Sequence, residues 1–81
     1  LTEERRKGLV KTIKHMAEES RVRIRACRKE GMDSAKKMKV DNILNEDQMH
    51  DLEKEVQELT DHFIKQIDEH VSAKETEVMT V

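Results

Sequence analysis

The sequence predicts an all-α fold, a long antiparallel helical hairpin. Three observations predict it: a composition poor in turn and sheet formers, two stretches of regularly spaced apolar residues, and a short polar break between them. Of the 81 residues, 42% are charged and 35% hydrophobic, with no Pro, Trp or Tyr, one Phe and two Gly. Sheets draw on aromatic and β-branched residues and need Gly or Pro at their turns, whereas Glu, Lys, Arg, Met and Leu favour helices. High charge with few aromatics is also the signature of disorder, and apolar periodicity decides for helices.

The first helix is expected over about residues 2–39. Thr2 followed by Glu3 and Glu4 reads as an N-cap with acids in the first turn, where they meet the positive end of the helix dipole. Val10, Ala17, Ile24, Gly31 and Met38 recur every seven residues, with Ile13, Ser20, Cys27 and Ser34 as a companion row. That spacing makes a heptad seam, and its small residues permit close helix approach. Leu9 and Met16 widen the apolar face. After a loop at about 40–45, Asn45-Glu46-Asp47-Gln48 reads as a variant capping box opening a second helix over about 46–79. Met49, Leu52, Val56, Leu59, Phe63, Ile67, Val71 and Val78 give it one continuous apolar face. So short a connection between long helices implies an antiparallel pair within a single domain.

Charge is divided between the two helices. Residues 1–39 hold 13 Lys+Arg against 6 Asp+Glu, and residues 40–81 hold 3 against 12, so the net charge of −2 conceals a basic helix and an acidic one. Part of that asymmetry can pair the helices across their seam, although exposed pairs contribute only about 0–1 kcal/mol each. Lys7, Lys14, Arg21 and Arg28 share one heptad position, with Lys11, Arg25, Lys36 and Lys39 close to it at about 100° per residue. This stripe borders the seam, is interrupted only by Glu18 and Met32, and is expected to stay exposed when the hairpin closes. A long stripe of one sign is the footprint of polyphosphate recognition, and arginine binds phosphate in a fork that lysine cannot match.

Other chemistries find little to use. Cys27 has no partner for an internal disulfide and no base placed by spacing, which makes it a small seam residue rather than a nucleophile. His15, His50, His62 and His70 are scattered, and the single pair Asp47 and His50 does not make a metal site. No Gly-rich phosphate loop or paired-carboxylate constellation occurs, so neither a cofactor nor an enzyme activity is expected. No apolar run approaches transmembrane length, and no signal-peptide core is visible.

Leu1-Thr2-Glu3-Glu4-Arg5-Arg6-Lys7, followed by Leu9-Val10-Lys11, resembles a signature of ribosome recycling factors, as does Val22-Arg23-Ile24-Arg25-Ala26-Cys27-Arg28-Lys29-Glu30. The second helix agrees in register at Asn45-Glu46-Asp47, Leu59-Thr60-Asp61, Ile64-Lys65-Gln66-Ile67-Asp68 and Lys74-Glu75. The resemblance implies two helices of an elongated three-helix bundle, with the family's first helix and its β-rich domain lying outside this sequence. It implies binding to large-subunit ribosomal RNA and, with elongation factor G and the GTP hydrolysed by that factor, disassembly of the ribosome after termination. It implies a location in the bacterial cytoplasm, or in a mitochondrion or chloroplast for an organellar member.

Arg25 and Arg28 fall on the family's RNA-contacting arginines, and Lys29 takes the place of a third. With Arg21, Lys14, Lys11 and Lys7 these form the expected RNA-binding set. Ala26 stands at the family's Asn, Glu30 at its Asp, and Gly31-Met32 at its Ala-Asn. Lys29 keeps charge without bidentate geometry. The chain opens at Leu1 on a charged helical pattern, as expected of a piece of a longer protein. Uncovered apolar surface would then favour self-association through the seam. The alternative is a structural coiled-coil module whose charges serve only helix pairing or a protein partner.

Overall fold

The computed structural model describes residues 2–80, and among these it holds two helices, α1 (Glu3–Val40) and α2 (Glu46–Met79), with no strand. They lie against each other as an antiparallel hairpin of 60 × 15 × 9 Å. The Cα radius of gyration is 18.3 Å, against roughly 12 Å for a compact chain of this length.

Local chemistry sets the ends. The Thr2 hydroxyl accepts from the Arg5 amide at 3.2 Å. At α2 the capping box closes in both directions, with the Gln48 amide donating to Asn45 Oδ1 at 2.8 Å and the Asn45 amide to Gln48 Oε1 at 3.0 Å. The stop of α1 is a Schellman motif. Asn42 takes a left-handed φ of 59°, its amide donates to the Lys39 carbonyl, and the Ile43 amide donates to the Met38 carbonyl. Asparagine tolerates that backbone better than the apolar Ile43 and Leu44 that follow it.

The seam is narrower than the sequence suggests. Ala17, Ala35, Met49 and Thr60 are its buried residues, with Val10, Ile13, Ile24, Val56, Ile64, Ile67 and Val71 half-buried. A Cβ on Gly31 would sit 3.1 and 3.2 Å from the two methyls of Val56, so the missing side chain is what lets the helices approach there. Thr60 takes a seam position because its hydroxyl donates to the Val56 carbonyl at 2.8 Å and needs no other partner.

Five residues expected in the seam lie outside it: Cys27, Ser34, Met38, Leu59 and Phe63 are exposed. The physical reason is geometric. One facing helix covers only a limited sector of its partner, and these residues lie beyond it on the same side of the pair. Phe63 and Met16 line an open apolar groove of about 570 Å³ together with Ile13, Ile24, Ile67 and Val71, and Leu9 and Leu59 precede Ile13 and Phe63 by one turn. Met16, Leu59 and Phe63 remain 61%, 57% and 49% exposed.

Candidate nucleic-acid interface

The basic residues occupy the edge of the hairpin opposite this groove. On α1, Lys7, Lys11, Lys14, Arg25 and Lys29 are exposed, while Arg21 and Arg28 are half-buried where the row turns toward α2. At about 100° per residue, Lys11, Arg25 and Lys29 point away from the partner helix, and Lys14, Arg21 and Arg28 lie beside it.

That difference corrects one expectation. The stripe does not stay wholly free, because α2 engages its inner row. Arg21 donates to Asp68 Oδ1 through Nε at 2.9 Å and Nη2 at 2.6 Å, leaving its side chain only 22% exposed. Lys14 approaches Glu75 at 4.0 Å. The Asp68 carboxylate raises the Arg21 pKa above its ordinary value, with Glu18 adding to the effect. Among the described residues, Lys7, Lys11, Arg28 and Lys29 form no ion pair.

Glu18 is more than an interruption of the stripe. Its Oε2 accepts from Arg21 Nη1 at 3.2 Å and its Oε1 from Arg25 Nη1 at 3.3 Å. The Arg21 and then the Arg25 guanidinium hold its carboxyl below the usual carboxylate value. Sequence reading missed Asp68 and Glu75 as partners of the stripe, though a signal existed. A hairpin turning over residues 41–45 opposes positions whose numbers sum to a nearly constant value, as at Gly31 and Val56, Arg21 and Asp68, and Lys14 and Glu75.

Asp47 and His50 do not pair; His50 lies between Glu46 at 3.8 Å and Glu53 at 3.3 Å. Among the described residues no group of three or more His, Cys, Asp or Glu could hold a metal ion. No described helix is long and apolar enough to cross a membrane. The edge is an extended cationic surface, with Arg25 on its outer row and Arg28 one helical turn on beside α2, flanked by lysines.

The family model described as ribosome recycling factor matches residues 1–79. The chain is 58% identical, over its full length, to the ribosome-recycling factor of Akkermansia muciniphila, covering 43% of that protein. It is 53% identical to that of Caldicellulosiruptor bescii and 49% to that of Clostridium novyi, again over the whole chain and 44% of each relative. The chain thus spans less than half the length of the curated relatives it matches. No solved structure matches it.

Proposed function

The chain belongs to the ribosome recycling factor family, and on that premise we propose that its hairpin is the RNA-binding limb of a factor that disassembles ribosomes after termination. In this reading the basic edge lies along large-subunit ribosomal RNA, with Arg25 and Arg28 as its principal phosphate ligands and Lys29, Lys11 and Lys7 beside them. Lys14 and Arg21 contribute field rather than direct contacts, since Glu75 and Asp68 already engage them. The hairpin performs no covalent chemistry; elongation factor G supplies the GTP hydrolysis. The apolar groove seats the family's first helix, and without that helix the chain self-associates there, which sedimentation at rising concentration reads directly.

One observation carries the reading: Lys7, Lys11, Arg25, Arg28 and Lys29, which α2 leaves unpaired, lie along the edge facing away from the apolar groove. A third helix can therefore cover the groove without touching them. The test is binding to isolated large ribosomal subunits across a salt titration. Affinity should fall steeply with salt as condensed counterions are released. Arg25→Ala and Arg28→Ala should each weaken binding and reduce the salt slope by roughly one, with helicity unchanged. Equal binding by both variants at every salt concentration would remove the basic edge as an RNA surface.

A second reading has an observation of its own. The Arg21–Asp68 and Lys14–Glu75 contacts show that part of the charge asymmetry serves helix pairing. A purely structural coiled-coil module would self-associate with little salt dependence and have no measurable affinity for the subunit.

A further inference from the structure

Four charged side chains form an alternating relay from α2 to the outer row of α1. Asp68 takes Nε and Nη2 of Arg21, and the remaining nitrogen, Nη1, donates to one oxygen of Glu18. The other oxygen of Glu18 accepts from Arg25 Nη1. Every nitrogen of Arg21 is thereby used, and its stem is packed between the helices. Glu18 and Arg25 lie seven residues apart, and Arg25 reaches back over two turns toward the helix N-terminus, the direction in which helical side chains lean.

We propose that Glu18 is a positioning residue for RNA binding, holding the Arg25 guanidinium in place on the outer row through a tether anchored at Arg21 and Asp68. The inference rests on the basic edge being the RNA surface. Among the described residues the Glu18 contact is Arg25's only side-chain hydrogen bond. It occupies one corner of the guanidinium and leaves Nε and Nη2 as a two-donor edge, the geometry that suits a phosphate. A free arginine must lose rotamer entropy when it binds; a tethered one has lost part of it beforehand. Glu18 is ionised and able to bridge at neutral pH, and the arginines hold its carboxyl below its ordinary value. Its contribution to folding is small, since all the groups except Arg21 are about half exposed or more.

The sign of the effect separates positioning from simple electrostatics. Glu18 carries the same charge as RNA, so a field argument alone predicts that its removal tightens binding. Positioning predicts the reverse. The measurement is the affinity of the 81-residue chain for large ribosomal subunits at several salt concentrations, with helicity followed by circular dichroism. Glu18→Ala should bind about threefold to tenfold more weakly than wild type. Glu30→Ala, which makes the same charge change about 120° around α1 from Glu18, should bind no more weakly. Glu18→Gln, which keeps one acceptor oxygen but cannot serve both arginines by charge, should fall between Glu18→Ala and wild type. In an Arg25→Ala background, Glu18→Ala should have no further effect; a merely structural role would persist there. If Arg25→Ala weakens binding while Glu18→Ala matches or exceeds wild type, the tether is overturned and the RNA surface stands. If Arg25→Ala and Arg28→Ala both bind as wild type, the surface itself is refuted and the tether with it.

Discussion

Along one edge of the helix pair, Arg21 reaches Asp68, Lys14 approaches Glu75, and Glu18 links Arg21 to Arg25. Along the other, Leu9, Met16, Leu59 and Phe63 stand beside a groove with large apolar surface still exposed. The same two helices produce both edges. On the charged edge, opposite charges on α1 and α2 meet and the surplus cations remain hydrated at little cost. On the apolar edge neither helix can satisfy the other, because two cylinders in contact bury one strip each and leave the flanks open. The charged edge is finished as a surface; the apolar edge keeps a driving force for further association.

The seam holds these edges apart, so the largest effect should come from breaking it. Gly31→Leu forces a side chain against the Val56 methyls and should cost about 1–3 kcal/mol, measured by urea unfolding. Gly8→Ala, with nothing within 4 Å of the added Cβ, should instead stabilise by up to about 1 kcal/mol. Next comes charge reversal on opposite edges. Lys11→Glu with Lys29→Glu should weaken large-subunit binding about tenfold or more. Arg5→Glu with Arg23→Glu, an identical charge change on the groove side, should do much less; equal losses would mean that net charge, not the edge, sets affinity.

On the apolar edge, Phe63→Glu should lower the fluorescence of a bound apolar dye several-fold while leaving subunit affinity unchanged, and a coupled loss of both would erase the distinction. The smallest effect is acidic. Glu18 has a folded-state pKa below its ordinary 4.5, so its stabilisation is present above that value and lost as pH falls through the lower one. Thermal melts in that window should show wild type losing slightly more stability than Glu18→Gln.

How far the sequence could be read follows from the range of the forces involved. Caps are local: Thr2 and Asn45-Gln48 act within three residues, and both form as their spacing predicts. The stop of α1 was equally local but turned on Asn42 adopting a positive φ, a preference too weak to single it out among neighbouring polar residues. Phe63 and Thr60 show the limit for the seam. Periodicity favours the larger apolar residue, but only the position of the second helix decides which of two adjacent sectors it covers. Arg21 shows the same limit for the candidate interface, since its place in the stripe was legible and its capture by Asp68 depended on register.

The sequence by itself determined that this chain forms two long helices of opposite charge joined by a short turn, because heptad spacing and capping act along a single strand of chain. It also determined membership of the family, through Leu1–Lys7 and the Arg25–Lys29 block. Only the tertiary structure decided which cations remain for a partner. Pairing two helices fixes a register and a rotation at once, and these place Arg21 against Asp68, leave Arg28 and Lys29 unpaired among the described residues, and turn Glu18 from a gap in the stripe into a bridge within it.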